Sequence, residues 1–262
     1  MSWYDGTLTA AAGQLKAILD EKLPLNDFWH IEDAGAGENI GVYHNYDPDN
    51  NVDYIVLISD NQADYASLAL WAGWDSGAHA GTGASWSSAT EYTIRKTAGA
   101  YGLSVLDHRF VFANKETKLG YYVGQLLRFD VTKNMPCMTV GDSTGDNNPV
   151  GRGPYATYVY WLCLADEVGV GRTVAPLGYS ASESYFGNAY CLTSDGRYFL
   201  RETAVVNRTS LKLLGLLEGV ALIGGDAQGL ANLDTVTDEN AAEWLALVPA
   251  TINRGACLIR KS

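Results

Sequence analysis

Residues 103–129, LSVLDHRFVFANKETKLGYYVGQLLRF, decide the reading of the fold. Residues 103–112 and 120–129 are rich in Leu, Val, Phe and Tyr, and they are joined by the polar stretch Asn114-Lys-Glu-Thr-Lys118. Aromatic and β-branched side chains suit a pleated, half-buried surface, and a short polar joint between two such runs suits a hairpin. The stretch therefore predicts two long antiparallel strands, with His108 inside the first.

The same signal extends in both directions. Residues 39–46, 53–59 and 65–74 are aliphatic and aromatic and are bounded by Asp, Asn and Gly, so they read as strands. Residues 92–96 alternate. Residues 155–164 form an apolar run, and Ser194-Asp-Gly-Arg197 is a hairpin signal between residues 190–193 and 198–203. Residues 213–223 read as a hairpin broken at Glu218-Gly219. Residues 244–248 and 256–260 read as closing strands, although 238–247 also fits a short helix capped by Thr237 or Asp238. The clearest helix covers 8–22, with Leu15, Ile18, Leu19 and Lys22 at helical spacing, Thr7 or Thr9 as cap and Pro24 as stop. Residues 74–88 form a Gly/Ser/Ala-rich loop. Residues 142–154, DSTGDNNPVGRGP, are the strongest breaker run and read as a long loop or linker. The chain is thus expected to be mainly β and β-sandwich-like, with an N-terminal α-helix. It divides into a helix plus β-rich lobe at 1–141, a joint at 142–154 and a second β-rich lobe at 155–262, or it is one elaborated domain.

Composition narrows the function. Of 262 residues, 47% are hydrophobic and 18% charged, so a sizeable core forms and disorder is disfavoured. The formal net charge of −12 argues against a nucleic-acid partner and against an anionic membrane surface. Met1-Ser-Trp-Tyr-Asp5 lacks the basic and apolar regions of a signal peptide, and no apolar run is long enough to span a bilayer. Cytoplasmic synthesis is expected. Cys137, Cys163, Cys191 and Cys257 lack metal or redox spacing and read as buried free thiols.

Candidate chemistry is sparse. Gly141-Asp-Ser-Thr-Gly145 has the form of a nucleophile elbow around Ser143, but His30, His44, His79 and His108 all precede it, whereas the elbow families place the base after the serine. A serine hydrolase is therefore the weakest alternative, and no catalytic residue is assigned. Asp47-Pro-Asp-Asn-Asn-Val-Asp53 resembles half of a calcium loop, yet Val52 and Ile58 stand where the EF-hand needs Gly and Glu, so a solvated turn is the better reading. No metal site or cofactor is expected. The loop at 74–88 carries Trp74, His79 and Trp86 close to acidic residues. Such aromatics suit either protein contact or stacking on a sugar face, which makes a glycan-binding, receptor-facing module the alternative function. Trp74, His79 and Trp86, with Asn147 and Arg152 of the 142–154 run, are the candidate interaction residues.

Residues 103–115, residues 120–130 (GYYVGQLLRFD), residues 135–144 (MPCMTVGDST) and the C-terminal WLALVPATINR and ACLIR runs resemble virion proteins of tailed bacteriophages. The resemblance implies a structural component of the tail, neck or baseplate, made in the host cytoplasm and residing in the virion. It implies a homo-oligomer that assembles with itself and with other virion proteins, and not an enzyme.

Overall fold

The computed structural model describes residues 1–87, 93–128, 134–139, 158–163, 167–174, 202–207, 213–223, 230–248 and 256–262. The strands are β1 (Ser2–Leu8), β2 (Trp29–Ile31), β3 (Ile40–Asp47), β4 (Val52–Ser59), β5 (Tyr65–Asp75), β6 (Ala80–Ser87), β7 (Thr93–Arg95), β8 (Gly99–Leu106), β9 (Arg109–Asn114), β10 (Leu119–Gln125), β11 (Leu127–Arg128), β12 (Pro136–Thr139), β13 (Tyr158–Cys163), β14 (Glu167–Val174), β15 (Glu202–Asn207), β16 (Leu213–Ile223), β17 (Thr235–Thr237), β18 (Glu243–Leu247) and β19 (Ala256–Arg260). The one α-helix among the described residues is α1 (Gln14–Lys22), extended by a 3-10 turn at Leu23–Leu25. The protein is mainly β, with curled antiparallel sheets in a sandwich-like arrangement.

The smaller sheet runs β2-β3-β4-β5-β6, with β7 also on β5. The larger runs β1-β8-β9-β10-β12-β13-β14-β15-β16-β19-β18-β17. Its pairing closes on itself. β11 follows β10 after Leu126 alone, and Leu127 and Arg128 pair with Leu216 and Gly215 of β16. The strands from β10 to β16 therefore form a circuit, as in a small barrel. Strand pairing passes directly from β12 to β13, on either side of residues 142–154.

Two cores follow from strand alternation. Tyr43, Tyr54, Val56, Ile58 and Leu70 of the smaller sheet meet Leu103, Val105, Phe110, Phe112 and Tyr121 of the larger one, and Leu15, Ile18 and Leu19 of α1 close this layer. Val111, Ala113, Tyr122 and Cys137 point to the opposite face, where Val205, Leu217, Leu245 and Ile259 cover them.

The structure corrects several expectations. The helix does not start at residue 8. Ser2–Leu8 pairs with β8 instead, and α1 begins after Gly13, whose φ of +76° a residue with a side chain rarely adopts. Neither Thr7 nor Thr9 caps it; the Asp60 carboxylate accepts the Lys16 N–H at 3.1 Å. Residues 103–112 are not one strand, because Asp107 and His108 form a tight turn between β8 and β9. That turn is clasped by the smaller sheet. Asn45 Nδ2 donates to Asp107 O at 2.8 Å, and the Tyr54 hydroxyl donates to His108 O at 2.6 Å. Residues 213–223 form one strand rather than a hairpin, with Gly219 at φ +78° as a local irregularity. Asp238 does not start a helix. Its carboxylate accepts the N–H groups of Asn240 and Ala242, and β18 follows. The Ser194–Arg197 hairpin, Ser143 and Cys191 lie outside the described residues.

Candidate functional site around Asp33

The described part of the 74–88 stretch, 74–87, is not a loop. Residues 65–75 and 80–87 form a hairpin with a turn at 76–79. Its glycines have a packing reason. A Cβ on Gly81 would fall 2.0 Å from the Trp71 ring, so the indole lies flat against this backbone. Gly83, at φ +72°, stands opposite the register shift between Trp71 and Gly73. The small residues that resemble a loop in the sequence are the floor beneath a large side chain.

At the turn, Asp75 Oδ1 accepts the N–H groups of Gly77 and Ala78 at 2.9 and 3.0 Å. This local Asx arrangement leads into His79, which holds φ +50°. The segment after β2 meets the turn there. Asp33 Oδ2 accepts Trp74 Nε1–H at 2.9 Å and pairs with His79 Nδ1 at 2.7 Å, while Oδ1 accepts Gly35 N–H at 2.9 Å. The Asp33 side chain is 5% exposed and that of His79 is 49% exposed. Hydrogen bonds from His79 and then Trp74 outweigh desolvation and hold the Asp33 carboxyl below the usual carboxylate range.

In the smaller sheet β3 and β4 lie between β2 and β5, so this contact carries the 32–39 segment across the sheet to the hairpin. The Asp33 cluster thus ties the segment after β2 to the β5–β6 hairpin. Chemically it is a carboxylate-oriented imidazole with Nε2 as the remaining ring nitrogen, the supporting half of a general acid–base unit. Among the described residues no hydroxyl or thiol is hydrogen-bonded to His79.

Two of the predicted interaction residues, Trp74 and His79, are therefore brought together, and the residue that joins them was not anticipated. Asp33 had one local signal, the Asp33-Ala-Gly35 sequence of an Asx turn. Trp86 lies in β6 opposite Leu70, with its side chain outside the described set. Asn147 and Arg152 lie outside the described residues.

Two other histidines are engaged with carboxylates. His44 places Nδ1 3.2 Å from Glu32 Oε2 and Nε2 2.8 Å from Asp53 Oδ1. His108 places Nε2 3.1 Å from Asp47 Oδ2, whose carboxylate also accepts N–H groups from Asp49 and Asn50. The Asp47–Asp53 stretch is therefore a turn exposed to solvent at residues 48–51, as expected, and anchored by the buried Asp47. Among the described residues no group of three or more His, Cys, Asp or Glu side chains is arranged to hold a metal ion. No helix among them is long and apolar enough to cross a membrane. No family model matches the chain, and no curated protein matches it.

Proposed function

We propose that the chain is a structural subunit of a tailed-bacteriophage virion, acting in the tail, neck or baseplate through protein–protein contact. One observation in the fold supports this reading. β1 runs in unbroken register with β8 from Ser2↔Val105 to Leu8↔Gly99, and among the described residues no strand lies on its other side. Soluble proteins usually blunt such an edge with Lys, Pro, a bulge or a short strand. Ser-Trp-Tyr-Asp-Gly-Thr-Leu spans 7 residues without Lys, Pro or a bulge, and its one charge, Asp5, is paired with Lys115. A regular open edge suits pairing with a neighbouring subunit. The resemblance of residues 103–115, 120–130 and 135–144 and of the C-terminal runs to virion proteins supplies the setting.

The test is the mass of the native protein by light scattering over a concentration series. A closed oligomer of fixed number is expected, and Thr7→Lys, which puts a charge on the β1 edge, should shift it toward monomer without altering the fold seen by circular dichroism. A strict monomer at every concentration, with tryptophan emission that shifts on adding glycans, would replace this reading with a carbohydrate-binding one.

A further inference from the structure

We propose that Lys96 and Asp60 condense into an intramolecular amide, making this a self-modifying site in the core. Both side chains are 0% exposed, and Lys96 Nζ is in contact with Asp60 Oδ1. Oδ1 nevertheless accepts no hydrogen bond. Two of the three ammonium hydrogens go elsewhere: Nζ donates to Ala11 O at 2.7 Å and to Gln62 O at 2.5 Å. A neutral amine has two N–H bonds and one lone pair. With both N–H bonds spent on backbone carbonyls, the lone pair is left for the carboxyl it touches. The partner carboxyl is held equally firmly. Asp60 Oδ2 accepts the Lys16 N–H in the first turn of α1 at 3.1 Å, and the backbone of Asp60 is pinned by bonds to Gly13 and Asn39.

Each part has a role in acyl transfer. The step begins with the ammonium passing one proton to Oδ1, which removes both charges from an interior where a charged pair carries a large desolvation penalty. The neutral Nζ then attacks Cγ. The oxygen that becomes negative, Oδ2, already faces a backbone N–H at a helix N-terminus, the arrangement that stabilises an oxyanion. Nζ passes its second proton to the Oδ1 hydroxyl, the Cγ–Oδ1 bond breaks and water leaves. One C–N bond forms, one C–O bond breaks, nothing is oxidised or reduced, and two buried charges are removed. Fixed reactants in contact supply the proximity that amide formation in water lacks.

The experiment is intact-mass spectrometry of the purified full chain after denaturation, followed by tryptic mapping. The expected result is a mass one water below that of the sequence, no cleavage after Lys96, and a branched peptide joining the segments that carry Asp60 and Lys96. Lys96→Met and Asp60→Ala should each return the full mass of their own sequences. The proposal is overturned if the wild-type chain has its full sequence mass with normal cleavage after Lys96, or if the lost water maps to another residue. The measurement is made on the unfolded wild-type chain, so it holds even where a variant folds poorly.

Discussion

Gly124 holds φ at +132°, and a Cβ there would stand 2.5 Å from both the Arg109 Cα and the His108 carbonyl oxygen. Backbone cannot yield as a side-chain tip can, so Gly124→Ala should cost on the order of 3 kcal/mol in chemical denaturation. The neighbouring His108 gives a pH prediction. Burial lowers its pKa from the ordinary 6.5, outweighing the attraction of Asp47. The folded state therefore holds the ring neutral more firmly than the unfolded state does. The resulting stability is fully present above about pH 6.5 and is lost as pH falls from there through the folded pKa. His108→Gln should flatten that part of the stability–pH curve, as read by urea denaturation at a series of pH values. Asp33 works in the same direction at lower pH. Its depressed carboxyl stabilises the fold above the ordinary 3.8, and that contribution is lost as pH falls through the folded value. Sequence marked Trp74 and His79 because aromatic and imidazole groups are conspicuous. It missed Asp33 because a single aspartate before a glycine is common, and its partners lie 41 and 46 residues away.

Single strands were legible wherever both neighbours could be guessed from composition. β3, β4 and β5 fall within a residue or so of their expected limits, since each alternates or is buried on both faces and is bounded by turn residues. Errors arose where small or polar residues answer to a tertiary partner. β6 resembles a loop because Gly81 lies beneath Trp71, and the β8–β9 turn is hidden because Asp107 and His108 are fixed by Asn45 and Tyr54 rather than by glycine. The turn's dependence on that clasp can be measured. Tyr54→Phe removes one of the two donors to the His108 carbonyl, the Gln125 N–H keeping the other, and should cost about 0.5–1.5 kcal/mol. The β15–β16 junction carries the opposite pH sign. Burial pushes the Glu202 carboxyl up, beyond the lowering effect of the Gly219 N–H that its Oε1 accepts at 3.0 Å. Its contribution is present below the ordinary 4.5 and lost as pH rises through the folded pKa. Glu202→Gln keeps the acceptor and should raise the melting temperature at neutral pH, with the gain disappearing below pH 4.5.

At the scale of the whole molecule, the mainly β class was readable from the abundance of aromatic and aliphatic strand-forming runs, whereas the path of the larger sheet was not. Its closure depends on Leu127 and Arg128 meeting Leu216 and Gly215, a long-range register that no local pattern encodes. Both cores pass through β9 and β10, whose alternate residues face one core and then the other. Amide exchange should therefore be slowest in β9 and β10 and faster in β1 and β17 at the ends of the sheet path. Leu217→Ala on β16, at 0% exposure, should cost about 2–5 kcal/mol and destabilise the second core first. The circuit from β10 to β16 also has a mechanical meaning. It is a hoop: a load that tries to widen it is shared by every ladder around the ring. β1 is a zipper with one row of teeth, so a tug across its ladder opens it pair by pair, whereas a tug along the strand strains all its pairs at once.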